Sequence, residues 1–190
     1  MNRPLRVVGL DLSLASTGMS DGQSAHAIQT TADTPVEARL DALVVGVTSF
    51  VRSPTQWTDK HPYGTWADLV VIEGPAFSRH GPGHEELAAL RLMVRHRLWR
   101  LEVPFAVVTP TTLKKYVTGS GTATKQDMVS AVHDRYGVDL IGVKVKDGRY
   151  DRADAYCLAA LGYDHVGQPL GEAAHRASLD AVEWPDLLSD

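Results

Sequence analysis

Four acidic residues stand where a carboxylate is costly or paired. Asp11 closes the apolar run LRVVGLD and Glu73 closes ADLVVIE. An ionised carboxylate at the end of a buried strand needs a partner, a proton or a metal ion, or else it marks where the strand leaves the core. Asp151 and Asp154 are three residues apart, so on a helix both project from one side of the first turn. Taken singly, they have a plain explanation, Asp151 as an N-cap and Asp154 as an acid in the first turn. Taken together, two strand-end acids and two helix acids are what a two-metal phosphodiester site requires. In such a site two ions about 3.5–4 Å apart activate water and stabilise the leaving oxygen. All-oxygen ligands select hard ions, magnesium or manganese. The eight histidines show no HExxH spacing, and the single cysteine, Cys157, excludes a multi-cysteine metal site and an internal disulfide framework.

The cations are unevenly placed. The chain carries a formal net charge of −4. Residues 164–190 hold six acids and one arginine, whereas residues 91–125 hold seven lysines and arginines and one acid. A basic band beside an acidic tail is compatible with a polyanion surface. On charge alone, the simpler account of Arg91, Arg95, Arg97 and Arg100 is the solvated side of a helix. Lys125 follows a Gly119-Ser-Gly121 segment but is preceded by Thr124 and followed by Gln126, so this is not a nucleotide-binding Walker A loop.

The elements that must position these residues follow from pattern. Residues 5–11 read as a strand, with two more near 17–20 and 25–30 across an Asp21–Gly22 turn signal. Thr34 and Pro35 open an amphipathic helix to about Val51, with Leu40, Leu43, Val44 and Val47 at helical spacing. Residues 52–65 read as loop. Residues 67–73 are the clearest strand, continuously apolar as expected when both faces are covered. Residues 74–83, with three glycines and two prolines, form a loop. A helix spans residues 84–101, with Leu87, Leu90, Val94, Leu98 and Leu101 on one side and Glu85 and Glu86 in its first turn. A strand at 103–108 is followed by a helix opened by Thr109–Pro110, then helices over 124–136 and 151–163. Strands first, then alternating helices and strands, indicate a mixed α/β sheet.

With 190 residues and 20.6 kDa, the chain is the size of one domain, residues 1–163, with residues 164–190 as an acidic C-terminal tail. No apolar run reaches the roughly 20 residues of a membrane-spanning helix, and the first nine residues are not a secretory signal. The expected setting is a reducing cytoplasm, that of a bacterium or a phage-infected host.

In order and spacing, the segments GLDLSLASTG (9–18), VIEG (71–74), Thr109-Pro with Lys114, Gly119-Ser-Gly121 with Lys125, and DRADA (151–155) resemble the RuvC-like Holliday-junction resolvases, specifically bacteriophage or actinobacterial members. The resemblance covers about residues 5–163. It implies a ribonuclease-H-like fold, with a mixed five-stranded sheet of three antiparallel strands followed by parallel strands, flanked by helices. It also implies a homodimer that nicks branched, four-way DNA using two Mg2+ ions per site, Mn2+ being a possible substitute, and needs no nucleotide cofactor or membrane. Residue by residue, it places Asp11, Glu73, Asp151 and Asp154 on the metal-binding acids, and Lys114 and Lys125 on lysines facing the DNA backbone and the active site. Lys125 would neutralise charge developing on the phosphate. The loop of Gly119, Ser120 and Gly121 would approach phosphate, where glycine permits close backbone approach. Lys115 is either part of this surface or an exposed neighbour of Lys114.

The sequence also departs from the family. Leu12 and Ser13 replace a usual proline and glycine, and Ala76 stands where an aromatic wedge is common. Phe77, one residue later, either inserts into the junction or packs in the core or at the dimer contact. The acidic tail is outside the pattern; it is either a disordered or swapped segment, or a segment that docks through Trp184 and Leu187–Leu188. The helix over 84–101 is the expected dimer contact, the alternative being that its stripe only faces the sheet. Two rival classes are an actin-like ATPase, which needs a second phosphate-binding domain, and a non-catalytic junction-binding module, which has no use for clustered carboxylates. Within the nucleases, a flap or fork is the alternative substrate.

Overall fold

The structure, a computed structural model, describes residues 4–53, 65–75, 83–172 and 175–187. Strand β1 (Val7–Asp11) is buried throughout. It pairs antiparallel with β2 (Ser16–Ser20), and β2 pairs antiparallel with β3 (Ala25–Gln29). Between β2 and β3, Gly22 takes a left-handed φ of 81°, and the Asp21 carboxylate accepts from the backbone N–H groups of Gln23 and Ser24. The predicted turn is thus built by an aspartate cap and a glycine.

Helix α1 (Val36–Val51) runs into β4 (Arg52–Ser53), which pairs with β5 (Thr65–Trp66) in a small separate ribbon where sequence predicts only loop. Strand β6 (Leu69–Glu73) lies parallel to β1, and β7 (Phe105–Val108) lies parallel to β6. The five-stranded order is β3-β2-β1-β6-β7, the expected antiparallel trio followed by parallel strands. Strand β7 starts two residues later than predicted. Pro104 has no N–H for the ladder, although its carbonyl accepts from Val70.

The period-2 alternation of the strands divides the core. Val8, Leu10, Val70 and Ile72 face α1 and helix α2 (His84–Arg100). Val7, Leu69, Val71, Ala106 and Val108 face helices α3 (Pro110–Thr118), α4 (Lys125–Tyr136) and α5 (Arg149–His165). In α2, Leu90, Val94 and Leu98 are buried against the sheet. The apolar stripe expected to serve a partner is therefore spent on this chain's own core. A different set, Leu92, Met93 and Trp99, is exposed on α2.

Helix α5 begins at Arg149, two residues earlier than predicted. Gly148, with φ 81°, ends the preceding 3-10 turn (Val145–Asp147), and its carbonyl accepts from the Arg152 N–H. Asp151 is therefore in the third helical position and Asp154 in the sixth. Neither caps the helix, so the capping account of these two acids is wrong.

Residues 175–187 pack on the body. Val182 and Ser178 are buried, Trp184 stacks on His165 with ring centroids 3.9 Å apart, and the Trp184 indole N–H donates to the Leu179 carbonyl.

Candidate active site

The site lies at the carboxyl ends of β1 and β6. Their parallel register pairs Leu10 with Ile72, so the next residues, Asp11 and Glu73, emerge side by side. The two carboxyls are close enough to act on each other's charge.

Two glycines bring α5 to this pair. A Cβ on Gly9 would overlap the Ala155 carbonyl and the Ala159 amide, and a Cβ on Gly18 would overlap the Asp151 carbonyl. Gly18 is also the register partner of Asp11. The backbone of α5 therefore lies directly on β1 and β2, with its first turns beside Asp11. This close approach brings acids about 140 residues apart in sequence near enough to act on one another's charge.

The electrostatics follow. Burial pushes the Asp11 carboxyl well above its ordinary range, with Glu73, Asp154 and Asp151 raising it further and Lys125 opposing them. Glu73 is raised by burial, while its hydrogen bond to Asp11 and the charges of Arg91, Lys125 and Lys114 pull it down. Asp154 is pushed up to about 7 by burial first, then by Glu73, with Lys125 opposing, Asp151 adding and Lys114 opposing. Four mutually repelling carboxyls in one partly dry place are relieved by protons or by a cation. Among the described residues, no group of three or more His, Cys, Asp or Glu side chains stands close enough together to hold a metal ion. The donor chemistry is nonetheless that of a hard divalent ion, all carboxylate oxygen with no imidazole or thiolate.

The lysines are placed by capping. Thr124 accepts from the Asp127 N–H, and the Asp127 carboxylate accepts from the Thr124 N–H. This reciprocal box fixes the start of α4 and puts Lys125 in its first helical position. A cation there opposes the helix dipole, so the position favours an anion arriving in front of it. The Lys125 ammonium sits 5.4 Å from the centroid of the Tyr150 ring.

Of the residues singled out from sequence, Asp11, Glu73, Asp151, Asp154, Lys125 and Lys114 act on one another. Lys115 and Gly119 instead line a separate cavity with His175 and Arg176. Ser120 hydrogen-bonds with Thr122, and Gly121 abuts Thr111. Phe77 and Ala76 lie outside the described residues. One contributor escapes a reading of the sequence. Arg91, assigned there to a solvated helix face, acts on Glu73, and its Nε is buried without a hydrogen-bond partner among the described residues. The signal is present: Arg91 falls four residues after Leu87 and three before Val94, inside the apolar stripe.

No protein-family model matches the chain. Curated relatives do. The chain is 25% identical over 190 residues to the crossover junction endodeoxyribonuclease RuvC of Paenarthrobacter aurescens, covering 96% of this chain and 94% of that protein. It is 27% identical over 165 residues to the RuvC of Saccharopolyspora erythraea, covering 82% and 75%. Among solved structures, Thermus thermophilus RuvC matches with a TM-score of 0.59 and 16% identity, covering 90% of this chain and all of that one. The same protein in complex with a Holliday junction substrate gives 0.60 and 17%, with equal coverage. The fold is thus ribonuclease-H-like.

Proposed function

We propose that this chain, RuvC-like in sequence and fold, is an endonuclease that resolves four-way DNA junctions by paired, metal-dependent nicks. The observation that carries the reading is the placement of Asp11 and Glu73 near Asp151 and Asp154, whose charges raise the proton affinity of Asp11 and Asp154. The names of its RuvC relatives supply the reaction class.

Asp11, Glu73, Asp151 and Asp154 would hold magnesium or manganese. Bound there, two ions supply an activated water and stabilise the leaving 3′ oxygen. Asp11 is acted on by all three other acids, so it would help to hold the ions together with them. Lys125, held near the acids by the α4 cap, balances negative charge on the non-bridging phosphate oxygens. Lys114 adds a second cation on the same side, since both lysines act on Glu73 and Asp154. The product carries a 5′ phosphate.

Two copies related by a two-fold axis present two such sites, which matches paired nicks on a branched substrate. The outward face of α2, with Leu92 and Trp99 about two-thirds exposed, is the dimer surface in this reading. No described helix is long and apolar enough to cross a membrane, and the cytoplasm is the proposed place of action.

The test is cleavage of a labelled four-way junction, a matched duplex and a flap, with and without magnesium or manganese. Symmetric, metal-dependent nicks in the junction alone are expected. Cutting of every branched substrate would widen the function to a structure-selective nuclease. Junction binding without any nick would leave a binding module and overturn the reading.

A further inference from the structure

The C-terminal segment is acidic as a whole, yet the side it turns to α3 is not. Between them lies a cavity of about 480 Å³ lined by Thr111, Thr112 and Lys115 on one wall and His175, Arg176 and Ser178 on the other. Among the described residues, no acid lines it. Asp180, Glu183 and Asp186 are exposed elsewhere on the segment.

The second wall is held in place from behind. The Arg176 guanidinium pairs with Asp164 at 3.1 Å while remaining 56% exposed. Asp164 is fully buried, and the Tyr116 hydroxyl donates to its other carboxylate oxygen at 3.3 Å. The ion pair holds Arg176 at the cavity by charge rather than by a hydrogen bond, since Asp164 Oδ1 accepts none among the described residues, and the guanidinium's N–H donors stay available to a phosphate oxygen. Gly119 contributes by omission. A Cβ there would sit 2.9 Å from the His175 ring, so any side chain would push that wall away.

The cavity is linked to the carboxyl cluster by α3. This helix starts two residues after Val108, the register partner of Glu73. Lys114 acts on Glu73 and Asp154. Lys115, the next residue, is turned by about 100° around the helix and lines the cavity instead. One helix thus offers one cation to the cleavage site and the next to the cleft.

We infer that the cleft between α3 and residues 175–181 binds a second phosphate group of the substrate DNA, away from the cleaved bond, through Lys115, His175 and Arg176. The inference rests on the nuclease reading above and adds to it a site half built by the C-terminal segment. This site holds the strand that has crossed α3 and contributes to affinity rather than to bond breaking.

The test compares wild type with Lys115→Ala, His175→Ala and Arg176→Gln in steady-state junction cleavage and in junction binding against salt. Each variant should raise KM about 3–10-fold with kcat unchanged. The slope of log affinity against log salt should become shallower by about 0.9 for each DNA phosphate that the variant no longer neutralises. The Lys115 side chain is exposed, so its removal leaves the Asp164–Arg176 anchor intact and keeps the test independent of folding. Unchanged KM and slope in variants of a wild type that cuts junctions would overturn the inference alone. A wild type that neither binds nor cuts DNA would instead overturn the nuclease reading. A third arm adds inorganic phosphate. Thermal stabilisation of wild type but not of Lys115→Ala, with junction KM unmoved, would mark a free-phosphate ligand and overturn the assignment to DNA.

Discussion

At the scale of single residues, the site is a set of carboxyls that fold into each other's repulsion. Asp154 makes this measurable, because its carboxyl is pushed up to about 7 by burial and by Glu73. A raised acid favours the protonated form in the folded state. The stability this group contributes is present in full below its unfolded value near 4 and is lost as pH rises through about 7. Metal-free protein at pH 8 therefore carries a buried charge that Lys125 and Lys114 offset only in part. Asp154→Asn should stabilise it there by about 1 kcal/mol or more, a Tm rise of roughly 2–4 °C per kcal/mol, and change little at pH 4. Thermal melts in chelator at the two pH values check this, and a lower Tm for the variant at pH 8 would contradict it. The acids themselves are legible in the sequence because each breaks a local rule by ending an apolar run or doubling up in one helical turn. Arg91 is not, because a charged residue in an arginine-rich helix looks ordinary until its phase against Leu87 and Val94 is counted.

At the scale of elements, the decisive packing is that of α5 on β1. It exists because Gly9 and Gly18 present no side chain to the helix backbone. Gly9→Ala forces α5 away from the sheet, at a cost of about 1–3 kcal/mol for overpacking. Because that displacement parts Asp151 and Asp154 from Asp11, junction cleavage should fall by more than the loss of folded protein explains. Denaturant melts beside specific activity would show it, and an active variant with parental stability would contradict the close-approach account. Strand order, the antiparallel trio and the long helices are readable from alternation and helical spacing. The start of α5 is misplaced by two residues when read from sequence, since Asp151 looks like a cap whereas Gly148 performs that role through its left-handed backbone. Sequence does not register that Gly9 touches a helix some 150 residues later, because no local pattern encodes which helix will lie on a strand.

At the scale of the whole molecule, the two halves of the charge distribution acquire separate uses. The basic band divides between the carboxyl cluster and the cleft, as Lys114 and Lys115 illustrate. The acidic segment docks through Val182, Trp184 and the Asp164–Arg176 pair. In the proposed dimer, the exposed apolar side chains of α2 form the contact between two copies. Trp99→Lys should convert a dimer into a monomer in sedimentation equilibrium at micromolar concentration, and paired nicking should fall with it. A wild type that is monomeric throughout would remove the dimer from the account.

The central claim is that the converged acids cut a branched DNA. The most direct measurement is cleavage of a four-way junction by wild type and by Glu73→Gln, in magnesium, with binding measured in parallel. The account predicts at least a roughly 100-fold loss of cleavage in the variant, in line with the removal of a group that stabilises the transition state, while junction affinity is kept. Cleavage near the wild-type rate by Glu73→Gln would contradict it.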